Sequence, residues 1–212
     1  MTWNLTITTG KTAFASGDLA TAEYWFWESL KEAEVFGGDS DQVIETAELL
    51  AETLMQQAKY TEAEEMLLVL ADIKTRRLGA DHVRTAQTIV MISELYYAKG
   101  EYARAEPFAM TGLKRYESVY GKDHDETIRV MSYLAYIYHA QGKFTQAEPF
   151  YDRAVQSRLK TIRENPIPAI QVMSGYAALL SATGKEDQAN SILTYVQQQQ
   201  EIMANNEERI EA

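Results

Sequence analysis

Three histidines are the first residues with chemistry to offer: His82, His124 and His139. A zinc site would need several imidazoles, carboxylates or thiolates converging at bonds of about 2 Å. His82 and His124 occupy one column of a repeated pattern, 124 − 82 = 42 residues apart, so a whole repeat separates them. They read as linker residues. There is no cysteine, which removes thiolate zinc sites, disulfides and cysteine catalysis in one step. No serine–histidine–aspartate set and no glycine-rich phosphate loop is present, and Gly37-Gly38-Asp39 reads as a turn. Adjacent acids such as Glu64-Glu65 read as a solvated helix surface. The expectation is no catalytic residue, no metal and no cofactor, hence not an enzyme.

Charge narrows the partner. Lys+Arg number 20 against 31 Asp+Glu, a net charge of −11. Such a chain repels phosphate backbones and anionic lipid, so the expected partner is a protein or peptide, not nucleic acid and not a membrane. No apolar run approaches the roughly 20 residues that span a bilayer. The opening Met-Thr-Trp-Asn lacks a basic region followed by an apolar stretch, so no secretory signal is expected and the location is expected to be cytoplasmic. With 46% apolar residues the chain can bury a sizeable core.

The elements that position these residues come from an internal repeat. Gly79-Ala-Asp-His82 returns as Gly121-Lys-Asp-His124, and 121 − 79 = 42. Lys99-Gly100-Glu101-Tyr102-Ala-Arg-Ala105-Glu106-Pro107-Phe108 returns as Gln141-Gly142-Lys143-Phe144-Thr-Gln-Ala147-Glu148-Pro149-Phe150 at the same spacing. Fainter copies are Ala58-Lys59-Tyr60 with Ala63, and Gly184-Lys185-Glu186 with Ala189. A first copy, Gly17-Asp18-Leu19 with Ala22, is one residue out of register, with the slack expected near Gly37-Gly38.

Each column has a physical reading. Gly100, Gly142 and Gly184 end a first helix, and Tyr60, Tyr102 and Phe144 open a second. Ala22, Ala63, Ala105, Ala147 and Ala189 are small and let helices approach closely, as do Gly10, Ala51, Ser93, Ala135 and Ala177 on the first helices. Large apolar columns run beside them: Leu50, Ile92, Leu134 and Tyr176, then Leu54, Tyr96, Tyr138 and Leu180, with Phe26, Leu67, Tyr151 and Leu193 on the second helices. Spacings of three and four give each helix an apolar face that only a stacked neighbour can bury. Asp81 and Asp123 are expected to cap the next first helix, with Asn165-Pro166 in that place in the last copy. Pro107 and Pro149 fall about one turn into a second helix. The aromatics Tyr24-Trp25-Phe26-Trp27 cover every side of a helix; they pack on Trp3 or present a patch to a partner.

These motifs resemble the 42-residue tetratricopeptide repeat of the kinesin light chain type, with its Gly-Lys-Tyr-x-x-Ala-Glu-Pro core and Gly-x-Asp-His-Pro linker, over roughly residues 17–200. The resemblance implies an all-α, right-handed α-α superhelix, or solenoid, of about five tetratricopeptide repeats. The expected organisation is one domain, residues 1–212, with repeats at 2–37, 38–79, 80–121, 122–163 and 164–204 and a polar tail at 205–212. First helices would line a concave groove, which in kinesin light chains binds extended peptide segments of cargo adaptors. Asparagines hold the peptide backbone in those proteins. The matching pairs here are Glu48 and Leu49, Val90 and Met91, Ser132 and Tyr133, and Ser174 and Gly175, none of them Asn. The basic cluster with which some tetratricopeptide domains clamp a chaperone tail is reduced to Lys11 and Arg129, far apart.

On that footing the groove columns can be read off. They are Asn4, Ile7, Lys11 and Phe14; Glu45, Glu48, Glu52 and Met55; Gln87, Val90, Glu94 and Tyr97; Arg129, Ser132, Tyr136 and His139; and Gln171, Ser174, Ala178 and Ser181. The middle is acidic and aromatic. Aromatic residues are common binding hot spots, and carboxylates favour a basic partner segment. The candidate partner-binding residues are therefore Glu48, Glu52, Glu94, Tyr97, Arg129, Tyr136 and His139. The expected function is a protein-interaction scaffold that holds a partner segment in the groove. The alternative is an assembly subunit, for instance a homodimer, that self-associates through its repeat ends or the N-terminal aromatic patch.

Overall fold

The computed structural model describes the backbone of residues 2–211 and the side chains of residues 2–205. Among the described residues it holds ten α-helices, one 3-10 turn and no strand. The helices alternate as first and second members of hairpins: α1 (Trp3–Ala15) with α2 (Leu19–Ala33), α3 (Asp41–Gln56) with α4 (Tyr60–Leu78), α5 (Val83–Ala98) with α6 (Tyr102–Tyr120), α7 (Asp125–Ala140) with α8 (Phe144–Leu159), and α9 (Pro166–Ala182) with α10 (Glu186–Glu211). They group into two compact units, Met1–Arg115 and Tyr116–Ala212.

The small columns form the seams. Ala22, Ala63, Ala105, Ala147 and Ala189 are all fully buried, as are Ala51, Ser93 and Ala135 on the first helices. Ser93 donates its hydroxyl to the Ala105 carbonyl at 2.9 Å, which satisfies a polar group that is fully buried. Leu50, Leu54, Ile92, Tyr96, Leu134, Tyr138 and Leu180 fill the space beside these seams. Leu193 departs from its column: it is 45% exposed, whereas Phe26, Leu67 and Tyr151 are fully buried. That side of α10 is left uncovered by the other described helices. α10 itself runs through the expected tail segment to Glu211.

The one-residue slip lies just ahead of Gly37-Gly38. Ala33 still matches Lys74 at the short spacing, 74 − 33 = 41, but Gly37 matches Gly79 at 79 − 37 = 42. Between them Glu34–Phe36 form the 3-10 turn. A 3-10 turn rises about 2.0 Å per residue against 1.5 Å for an α-helix, so one residue fewer still covers the length.

The first helices start differently from expectation. The residues that cap α5 and α7 are His82 and His124, not Asp81 and Asp123. Each histidine Nδ1 accepts the backbone N–H two residues on, at 3.1 Å from Arg84 and 3.2 Å from Glu126. An accepting Nδ1 must carry no proton, which places the ring proton on Nε2. Asn165 makes no side-chain cap, and Pro166 opens α9 as its first residue. Pro107 and Pro149 lie inside continuous helices.

The residue that ends each first helix turns left-handed. Gly17, Gly100, Gly142 and Gly184 have φ between 72° and 79°, and Ala58 takes the same place at φ 58°. A side chain there costs about 1–2 kcal/mol, offset by the stiffer unfolded chain that alanine gives. Ala58→Gly should therefore stabilise the protein by about 0.5–1 kcal/mol. Urea unfolding followed by circular dichroism measures this, and an unchanged or lower midpoint would contradict it.

Candidate functional site

In the first unit the first-helix face forms a cleft of about 270 Å³ lined from α1, α3 and α5, with Lys11, Glu45, Glu48, Glu52, Arg84 and Met91 among its walls. The acids in it are not equivalent. Glu45 accepts from the Lys11 ammonium at 2.6 Å. Glu48 is engaged twice, by Lys74 and, at 3.2 Å, by Arg84. Lys74 is fully buried on α4, and its Nζ also donates to the Thr88 hydroxyl at 2.7 Å and the Arg84 carbonyl at 3.1 Å. Burial holds the Lys74 ammonium below its ordinary pKa, and Glu48 opposes that.

Glu52 forms no ion pair among the described residues. Its carboxyl is held above the ordinary range, first by partial withdrawal from water and then by the charge of Glu94 on α5. Although the residue as a whole is exposed, the carboxyl sits where the cleft walls limit hydration. Tyr97, further along α5, is half-buried with its ring 5.2 Å from that of Tyr102.

The other three candidates belong to the second unit. Arg129 is half-exposed and donates to Glu126 one turn earlier at 3.0 Å. Tyr136 and His139 are half-buried and pack on Tyr151, Tyr136 edge-on at 5.6 Å between ring centres. His139 Nδ1 lies 3.2 Å from the Tyr151 hydroxyl, and burial pushes its imidazole below the usual range. Tyr176 stacks on Tyr151 with ring centres 5.7 Å apart. Gly175 makes room for this cluster: a Cβ there would come within 2.6 Å of Tyr136.

Three positions assigned to the groove face are instead buried: Ile7 at 4%, Val90 at 1% and Ser132 at 8%. Val90 and Ser132 share a column with Glu48, which identifies that column as the inner wall rather than the open floor. The buried Lys74 also follows a column, since Ala33, Tyr116 and Arg158 at the matching positions are all buried. Arg158 is held by Asp125 at the start of α7.

Glu64 corrects another expectation, for it is a network centre rather than a solvated acid. Its carboxylate accepts from Lys99 at 2.7 Å, Arg104 at 3.1 Å and the Tyr96 hydroxyl at 2.8 Å. The Lys99 bond, followed by that of Tyr96, holds its pKa below the ordinary value. Comparable links join Glu23 to Lys59 at 2.6 Å and Glu148 to Lys185. Glu23, Glu64 and Glu148 each follow an alanine of the small column, so this ladder is periodic in the sequence.

Among the described residues no group of three or more His, Asp or Glu could hold a metal ion. No helix there is long and apolar enough to cross a membrane.

Comparison with known proteins bears on the fold. BtubC (BKLC) from P. vanneervenii superposes with a TM-score of 0.81 at 17% identity, over 92% of this chain and 78% of that one. The nearly identical kinesin light chain TPR-like repeats of Podosopora anserina give 0.77 at 16%, over 93% and 94%. MamA from Desulfovibrio magneticus RS-1 gives 0.71 at 10%, over 94% and 95%. At such identities the likeness is one of fold alone. No match is found among curated proteins. The tetratricopeptide repeat family model matches residues 42–118 and 92–160, together more than half of the chain. The chain belongs to the tetratricopeptide repeat family.

Proposed function

We propose that the first-helix face of the first unit binds an extended segment of a partner protein, with a Lys or Arg side chain of that segment seated between Glu52 and Glu94. The fold is that of a protein-interaction or assembly module. Glu52 carries the reading. It stands in a cleft with no ion-pair partner among the described residues, its carboxyl raised by limited hydration and by a second acid. An incoming cation would relieve both costs. Tyr97 offers flat apolar contact on the same helix as Glu94, a residue type that binds at low entropic cost. Arg129, Tyr136 and His139 are the corresponding candidates of the second unit, where Tyr136 and His139 are already engaged with Tyr151.

The sign of the pH dependence follows from the raised carboxyl. A bound cation favours ionised Glu52, so binding is strongest above the Glu52 pKa of the free protein and is lost as pH falls through it. Because that pKa is raised, the loss should begin at a higher pH than for an ordinary glutamate. A labelled, extended Lys/Ala/Gly peptide titrated by fluorescence anisotropy tests this. Glu52→Gln should weaken binding about tenfold, the effect of losing roughly 1.4 kcal/mol, and should remove the early acid limb. Equal affinity of the variant and the parent would refute the proposal. Glu48 is unsuitable for this test, since it holds Lys74.

A further inference from the structure

A second cleft lies in the same unit and shares no residue with the first-helix cleft. It has a volume of about 360 Å³ and opens between α2 and α4, with α3 as its floor. Trp27 of α2 and Met66 and Val69 of α4 form its walls. Trp27 is 38% exposed and Val69 57%, so these apolar side chains are left without cover. The aromatics of the 24–27 run therefore part company. Phe26 is fully buried against Gly10, Trp25 meets Tyr24 edge-on, and Trp27 turns to the cleft. Trp3 pairs with Phe36 and Thr46.

Glu34, Glu62 and Glu65 stand among the lining residues, and no cation does. All three are exposed and none enters an ion pair among the described residues. An apolar cleft of this size, inside the range of about 300–1,000 Å³ of ligand-burying pockets, is thus edged by uncompensated negative charge. A second copy of the chain suits it poorly, because each copy carries −11 and would bring further acids to the edge.

We propose that this cleft between α2 and α4 docks a basic amphipathic segment of another protein, apolar side chains against Trp27, Met66 and Val69 and Lys or Arg side chains against Glu34, Glu62 and Glu65. The site is independent of the first-helix face, so the protein can hold two segments at once. Neutralising three acids makes the complex salt-sensitive, while the apolar contacts persist at high salt.

The test uses a fluorescein-labelled Leu/Lys amphipathic peptide of about four helical turns and the full chain, read by anisotropy. Val69→Asp changes an exposed side chain and should weaken binding at least tenfold. Glu62→Gln with Glu65→Gln should weaken it about fivefold and flatten the salt dependence. Parent and variants are all compared in the Glu52→Gln background, which takes the first-helix face out of the readout. Equal affinity with and without Val69→Asp would overturn the proposal. So would light scattering that shows a dimer of the parent which Val69→Asp dissociates, because a second copy would then be the occupant.

Discussion

Replacing Glu48 by alanine should lower the stability of the protein by about 3 kcal/mol, and adding Lys74→Met should return most of that loss. The reason is the position of Lys74. Its side chain is fully buried, and of its three acceptors only Glu48 carries charge. Removing that charge leaves an ammonium facing one carbonyl and one hydroxyl. Breaking a buried pair from one side costs about 3–5 kcal/mol, whereas replacing the buried charge by an apolar group of similar volume is often neutral. Glu48 is 25% exposed, so water can relax into the gap and the lower end applies. The double variant leaves neither charge buried and Arg84 without its partner, a half-exposed cation that water can serve. The pH trend is diagnostic. Lys74 has a folded-state pKa below its unfolded one, so the unfolded chain binds more protons between the two values and stability rises with pH there. Without Glu48 that window widens. The deficit of Glu48→Ala should shrink as pH climbs from neutral toward the ordinary lysine value of about 10.4. Denaturant midpoints across that range measure it. A loss below about 1 kcal/mol at neutral pH would mark the pair as an ordinary surface bridge.

Gly175→Val should be comparably damaging, at about 3 kcal/mol. Glycine in mid-helix is usually a weakness, and alanine would gain about 1 kcal/mol of helix propensity. Here the space decides otherwise. A Cβ would stand 2.6 Å from Tyr136 and 3.0 Å from the Tyr151 hydroxyl. Tyr151 has little room to retreat, being fully buried and in contact with the rings of Tyr136, Tyr176 and His139. Overpacking of this kind costs about 1–3 kcal/mol, and valine adds two methyl groups beyond the clashing Cβ. Gly175→Ala should consequently be near neutral or mildly destabilising, as the propensity gain and the clash oppose each other. Thermal unfolding of the two variants reads the difference. If Gly175→Val were tolerated as well as Gly175→Ala, the tyrosine cluster would have to be mobile rather than packed.

The residues that sequence makes legible are those that repeat as one type. Alanine in five successive copies has a single explanation, close approach of helices, and all five are buried. Glycine at helix ends is equally plain, and Ala58 shows the position demanding a left-handed turn even where the residue resists it. The inner wall of the groove is harder to see. Glu48, Val90 and Ser132 share a column but not a chemistry, so the column reads as open surface. The more open column, that of Glu52, Glu94 and Tyr136, stands four residues on, only about 40° further round the helix. Lys74 is hidden for a related reason. It lies among Asp72, Thr75, Arg76 and Arg77, a run that reads as solvated, and only the alignment with Ala33, Tyr116 and Arg158 shows an inward-facing place. The caps differ from expectation by one residue: aspartate is the commoner cap, but here the adjacent histidine has the geometry. Of the candidate acids, Glu45 meets Lys11 and Glu48 meets Lys74 and Arg84, pairings that no spacing in the sequence announces, whereas Glu52 enters no ion pair among the described residues.

The ladder of glutamates limits how the copies can be rearranged. Glu23 meets Lys59 and Glu148 meets Lys185, each lysine standing just before a second helix. In the third copy that place is held by Glu101, and Lys99 and Arg104 answer Glu64 from either side of it. The modules are thus keyed rather than interchangeable. Shuffling the third copy's cationic pair into another slot, without its Glu101, would crowd two positive charges against one acid. Moving Glu101 without the pair would set acid against acid. Order along the chain is encoded in these mismatched teeth, and a recombination event that ignored them would yield an array of correct hairpins joined in a disfavoured sequence.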